Sequence, residues 1–149
     1  MTNIKRYTGG VSEATALQDI VTAWQEDDDF WPYESVLEAL QRPQCRLYYV
    51  DEGQQWPGLV LLNLNIDTCD LLYIYTRADA RRRGLARELL EFAAKELRLE
   101  KPIPDVILEV KRSNEVAQQF YLAHGMKKFG MRPRYYGNGE DALIFRWQL

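Results

Sequence analysis

The chain predicts a mixed α/β domain: a mostly antiparallel sheet with one central parallel strand pair and flanking helices. Three observations predict it. Short apolar runs recur between glycine, proline and aspartate punctuation, as strands do. Other segments carry apolar residues at helical spacing. One long helical segment lies between two strand-like runs, over residues 71–110. Such a strand–helix–strand unit returns the chain in the same direction and implies the only parallel pairing. The element order reads βααβββαβαββ.

Residues 4–7 form a short first strand, closed by Gly9 and Gly10. Ser12 is placed to cap the next helix, where Leu17, Ile20, Val21 and Trp24 share a face. The acidic run Glu26, Asp27, Asp28, Asp29 breaks that pattern. Pro32 suits the first turn of a second helix striped by Tyr33, Val36, Leu37 and Leu40. CRLYYVDE and GLVLLNLN flank a polar turn and read as an antiparallel hairpin; DLLYIYT follows. The longest helix is expected over residues 83–99, with Leu85, Ala86, Leu89, Leu90, Ala93 and Leu97 inward and Pro102 and Pro104 as the stop. DVILEV has the continuous apolar character of a strand buried on both faces. Residues 114–124 make a helix closed by Gly125. Two last strands, about 127–136 and 142–147, flank a Gly137-Asn138-Gly139 turn.

Composition narrows the function classes. With 149 residues, 46% hydrophobic and 28% charged, and no repeat or linker, residues 1–149 are expected to be one globular domain with a substantial core. No apolar run is long enough for a transmembrane helix, and MTNIKRY lacks the pattern of a secretory signal. Two cysteines, Cys45 and Cys69, and one histidine are too few for a metal site or a disulfide scaffold, and fit a cytoplasmic protein. A pI near 5.3 and a net charge of -3 argue against general nucleic-acid binding.

Against that acidic balance, RRRGLA, residues 81–86, stands out between a strand and a long helix. The first turn of a helix leaves N–H groups unpaired and carries partial positive charge. Gly84 lets an anion approach the backbone, Ala86 keeps the next position small, and Arg82, Arg83 and Arg87 strengthen the field. The stretch is therefore a candidate pyrophosphate cradle, and equally a solvated basic helix start. Neither the Walker lysine pattern nor the three-glycine dinucleotide fingerprint is present.

Arg81-x-x-Gly84-x-Ala86 after an aromatic-rich strand resembles the acetyl-CoA pyrophosphate loop of the GNAT superfamily of N-acetyltransferases. LEVKRSNEVAQQFYLAHGM resembles that family's second signature. The tail YYGNGEDALIF is similar to the RimI-like branch, the bacterial ribosomal-protein-alanine N-acetyltransferases. The resemblance spans residues 71–147 strongly and 30–70 weakly, FWPYE included. It implies a single-domain GNAT fold and acetyl-CoA as cosubstrate. Backbone groups of Ile74, Tyr75 and Thr76 are then expected to bind pantetheine and the acetyl carbonyl as an oxyanion-type site. Residues Arg82, Arg83, Gly84, Leu85, Ala86 and Arg87 are expected on the pyrophosphate, and Asn114 on the pantetheine arm. The implied acceptor is a basic protein N-terminus beginning with alanine. Other acceptors, a small amine or a lysine side chain, stay open, as does a non-catalytic acyl-CoA-binding domain.

Two residues carry the expected chemistry. Glu109 interrupts an apolar run, where a carboxylate needs a partner or a use. An α-amine is mostly protonated at neutral pH, and Glu109 can remove its proton through a water. Its other reading is a structural ion pair with Lys111, Lys128 or an arginine. Tyr121 lies seven residues beyond Asn114, on the same helix face, and can protonate the leaving thiolate; otherwise it is a core tyrosine beside Phe120. Ser113 or Asn114 can equally be a helix cap. His124 is read as structural at a helix end. The acidic run 26–29 can attract a basic acceptor or be a solvated loop. Tyr135 and Tyr136 can wall the acceptor site or pack on an edge strand. Tyr75 is bulky for its position and can narrow the acceptor side.

Overall fold

A computed structural model describes residues 2–27, 32–53, 55–100 and 105–149. Strands β1 (Ile4–Arg6), β2 (Cys45–Val50), β3 (Gly58–Leu64), β4 (Thr68–Thr76), β5 (Asp105–Lys111), β6 (Lys127–Arg132) and β7 (Ala142–Gln148) form one sheet in the order β1-β2-β3-β4-β5-β7-β6. Among the described residues only β4 and β5 pair in parallel, as the strand–helix–strand unit requires. Helices α1 (Val11–Asp27) and α2 (Tyr33–Leu40) cover one face; α3 (Leu85–Glu100) and α4 (Glu115–Ala123) cover the other.

Two apolar cores result, one on each side of the sheet. Leu17, Ile20, Val21 and Trp24 of α1 pack with Val36, Leu47, Leu59 and Leu61. Leu85, Leu89, Leu90, Ala93 and Leu97 of α3 pack with Val60, Leu62, Val106, Leu108 and Phe145. The spacing of these residues put each helix's apolar stripe where the structure has it. Among the described residues, the α1/α2 core contains nothing from β5, β6 or β7, so those strands have no helix over that face.

Several boundaries differ from expectation, each for a local reason. Ser12 does not cap α1: the helix begins at Val11, and Glu13 reaches back to accept the Gly10 N–H at 2.9 Å, the reciprocal half of a capping box. Pro32 is the N-cap of α2, with ψ 153, and not its first helical residue. Helix α3 starts at Leu85 because Gly84 at φ 77 and Arg82 at φ 68 are left-handed. Strand β6 stops at Arg132, since Pro133 has no N–H to give the ladder and Arg134 turns the chain at φ 50. Tyr135 and Tyr136 therefore lie in the β6–β7 connection, not on an edge strand. The expected proline stop at 102 and 104 lies outside the described residues, as do Asp28, Asp29, Phe30 and Trp31. No described helix is long and apolar enough to cross a membrane.

Candidate active site

The parallel pair opens a wedge in the sheet. Pairing of β4 with β5 ends at Leu71↔Leu108. Beyond it β4 stays with β3 as far as Gly58↔Thr76, while β5 stays with β7 as far as Lys111↔Ala142. The strands thus part between residues 72–76 and 109–111, leaving backbone along the wedge outside any shared ladder. At the point of parting, the β3–β4 register shifts: Leu62 faces Leu71, and Leu61 faces Tyr73, so Leu72 is the extra residue. A one-residue bulge exchanges the faces of everything after it. Cys69 and Leu71 point into the α3 core, whereas Tyr73 and Tyr75 pack on the α1 side. Tyr75 is stacked on Trp24 at 5.6 Å between centroids, so its bulk is spent in the core.

Beside the wedge lies the arginine loop. Arg81 folds back so that its Nε donates to the Thr76 carbonyl at 3.1 Å, and its guanidinium stands over the Tyr75 ring at 5.9 Å. Left-handed Arg82 and Gly84 curl residues 81–84 before α3, whose backbone bonding starts with Glu88 N–H to Gly84 C=O at 3.1 Å. The preceding N–H groups belong to the first turn, which has no intrahelical partner for them. A Cβ on Gly84 would meet nothing within 4 Å, so open space faces these donors. Arg83 pairs with Glu52 of the β2–β3 turn, and Arg87 with Glu91 one helical turn on. Both pairs are exposed and weak. Arg82 is exposed and has no ion pair among the described residues. At the end of β4, the Thr76 hydroxyl is buried without a hydrogen-bond partner among the described residues. Unshared first-turn N–H groups, open space before Gly84, a free guanidinium and this orphaned hydroxyl together fit a diphosphate with a polar arm attached.

Glu109 and Tyr121 take opposite faces of the sheet. Val106, Leu108 and Val110 point into the α3 core, so Glu109 points to the face that no helix covers on this side. There Arg132 Nε lies 3.1 Å from Glu109 Oε1. The Tyr135 hydroxyl bonds the same carboxylate; the Glu109 charge, then burial and that hydrogen bond, push the Tyr135 phenol up. Arg132 also stands over the Tyr135 ring at 5.5 Å, and Lys111 Nζ over Tyr136 at 5.5 Å. Of the partners the sequence left open, an arginine is one: Arg132 pairs with Glu109. No sequence signal marked that arginine, because Arg132 reaches Glu109 only through the β5-β7-β6 strand order.

The β6–β7 connection is clasped to the end of β5. Ser113 N–H donates to Glu140 Oε1 at 2.7 Å, Arg112 pairs with Asp141 at 3.1 Å, and Arg134 N–H donates to Asp141 Oδ1 at 3.0 Å. These bonds hold Tyr135 and Tyr136 over Lys111 and Glu109. Glu140 and Asp141, inside the YYGNGEDA stretch, were legible only as a resemblance; here they are the clasp.

Tyr121 is 7% exposed in the α3/α4 core, with Phe120 and Phe145 around it. Burial, with a smaller contribution from Tyr136, pushes its phenol to about 12. Asn114 caps α4: its side chain accepts the Ala117 N–H at 3.1 Å. His124 is the C-cap, with Nδ1 3.3 Å from the Phe120 carbonyl and its ring against Phe120. The acidic run ends α1 at Asp27, and its remainder falls outside the described residues.

The sequence profile of the Acetyltransferase (GNAT) family matches residues 14–126. A Bacillus subtilis (strain 168) protein, provisionally named a ribosomal protein bS18-alanine N-acetyltransferase, is 32% identical over 116 residues, 76% of either chain. The crystal structure of the ribosomal-protein-S18-alanine N-acetyltransferase from Escherichia coli has the same fold, with TM-score 0.84 and 24% identity over 99% of this chain and 94% of that one. A GNAT family acetyltransferase from Elizabethkingia anophelis with acetyl-CoA bound also shares it, with TM-score 0.74 and 16% identity over 99% and 98%.

Proposed function

The chain belongs to the acetyltransferase (GNAT) family, and from that membership we propose that it transfers the acetyl group of acetyl-CoA to the N-terminal alanine amine of a ribosomal protein. Use of acetyl-CoA and transfer to nitrogen come with the family. The choice of acceptor is supported by the 32% identical relative. The observation that carries the chemistry is Glu109: a carboxylate at the open wedge, on the sheet face that no helix covers.

In this reading the loop from Arg82 to Arg87 holds the pyrophosphate by first-turn N–H groups and arginine charge. The pantetheine enters the wedge along Ile74, Tyr75 and Thr76, where backbone donors polarise the acetyl carbonyl. Asn114, as the cap, orders the start of α4 beside that arm. The acceptor approaches from the Glu109 face, between Tyr135 and the α1 side. Glu109 takes the amine proton, and the neutral nitrogen attacks the carbonyl carbon. As the C–S bond breaks, negative charge collects on sulfur, Tyr121 donates a hydrogen bond to it, and the second proton of the attacking nitrogen passes to the thiolate by way of solvent, leaving the amide and the free thiol.

Thiol release from acetyl-CoA would be followed with a basic alanine-starting peptide, its N-terminally blocked form, a lysine peptide and polyamines. Turnover confined to the free alanine terminus, falling by ~10²-fold or more in Glu109→Gln, is the expected result. Turnover on a lysine or polyamine instead overturns the acceptor. Binding of acetyl-CoA with no turnover on any amine overturns the enzyme reading.

A further inference from the structure

The two halves of the Glu109–Arg132 ion pair are held unequally. Glu109 sits on an inner strand, laddered to Ile144 on β7, and its side chain is 24% exposed. Arg132 is the last residue of the edge strand β6, and its side chain is 57% exposed. The carboxylate is thus the more enclosed member and the guanidinium the more exposed one. We propose that Arg132 occupies the position on Glu109 that the acceptor's ammonium group takes, so that acceptor binding exchanges one cation for another on a single carboxylate. This rests on the reading of Glu109 as the group that receives the amine proton.

The geometry supports the exchange at each end. A cation already lies 3.1 Å from Oε1, where an ammonium would make the same contact. An exposed pair of this kind contributes little net stability, so an incoming cation meets a low barrier to displacing it. The displaced guanidinium keeps a place to rest, because it already lies over the Tyr135 ring. Lys111, two residues along the same face, has its Nζ over the Tyr136 ring. An acceptor that arrives charged replaces a charge, whereas a neutral analogue would break the pair and restore nothing. The exchange therefore selects amines that are protonated when they bind, before Glu109 removes the proton.

Alaninamide is the probe, since its α-ammonium is its only charge. At saturating acetyl-CoA, Arg132→Gln is expected to lower the alaninamide KM by roughly two- to fivefold at low salt, the range an exposed pair allows. It should also make KM rise with ionic strength, because one attraction then stands uncancelled. Arg132→Lys, which keeps a cation but not the flat guanidinium over Tyr135, should give a KM and salt dependence nearer those of the unaltered chain than Arg132→Gln does. Independently, 15N NMR should show the Arg132 Nε–H resonance moving toward that of a free guanidinium as alaninamide saturates, with propionamide leaving it still. Arg132→Lys assigns that resonance by removing it. An Arg132→Gln KM that rises or stays level, or a resonance unmoved by saturating alaninamide, overturns the proposal. If alaninamide shifts the resonance and is never acetylated, the exchange stands and the acceptor reading falls.

Discussion

Tyr121 shows how a single residue's surroundings change the role its side-chain chemistry suggests. A free phenol lies close enough to a thiol in acidity to hand its proton to a departing thiolate. Burial raises this one to about 12, so complete transfer to a thiolate of ordinary basicity would run ~5 kcal/mol uphill. Tyr121 is therefore expected to remain protonated and to act as a hydrogen-bond donor. Tyr121→Phe should lower kcat by ~10²-fold, as loss of a donor to developing charge does. In the unaltered chain, kcat should show no Tyr121-dependent fall between about pH 8 and 10; thiol release across that range tests both. Glu13, which the sequence marked no further than as a helix residue, is the other instructive case. It is 9% exposed and accepts from Tyr49 at 2.7 Å, Gly10 at 2.9 Å and Thr8 at 3.1 Å. Burial opposes its charge, but the Tyr49, Gly10 and Thr8 hydrogen bonds outweigh it and hold the carboxyl below the usual range. A depressed folded-state value means stability that is present above the unfolded value and lost as pH falls through the folded one. Tyr49→Phe keeps the ring stacked on Trp56 and removes only the hydroxyl. It should cost ~1.5–3 kcal/mol near neutral pH and move acid unfolding to higher pH, read by urea titrations at several pH values.

At the level of elements, two short departures from regularity set the site. The Leu72 bulge turns Tyr73 and Tyr75 toward α1 just where β4 leaves β5. DLLYIYT was legible as a strand, but its phase was not, since alternation cannot reveal an extra residue whose cause is the neighbouring strand's register. The arginine loop was legible in kind and position, because a glycine before an apolar helix pattern is a local signal. What local pattern could not show was Arg82 at φ 68, a conformation costly for a side chain with a Cβ. Arg82→Gly should relieve that cost and leave the protein as stable or up to ~1 kcal/mol more so, after the flexibility glycine adds to the unfolded chain. It should also weaken acetyl-CoA binding. Gly84→Ala should destabilise by ~1 kcal/mol through φ alone, since no protein atom opposes the Cβ. If the open space before Gly84 receives the pyrophosphate, its acetyl-CoA KM should rise by ~10-fold or more, well beyond what the stability loss explains. Thermal melts and KM measured side by side separate the two effects.

Across the whole molecule, one sheet joins two cores, so the two faces are expected to unfold together. Leu61 and Leu62 are neighbours in β3 that point into opposite cores. Leu61→Ala and Leu62→Ala should each cost ~3 kcal/mol. Each should shift one shared transition, with tryptophan fluorescence, which reports Trp24 and Trp56 in the α1 core and Trp147 against the α3 core, coinciding with far-UV circular dichroism. Separate transitions would show two independent units. Element order, the helix faces, the single parallel pair and the basic helix start were all determined by the sequence alone. Periodicity, glycine placement and crossover handedness act over short stretches, and each residue there reports its own surroundings. Tertiary structure alone decided that Glu109 faces Arg132 and Tyr135, that Glu140 and Asp141 clasp the loop to β5, and that β4 and β5 part after Leu71. Those facts depend on strand order and register, which place residues distant in the chain side by side, and no local pattern encodes a distant partner's position.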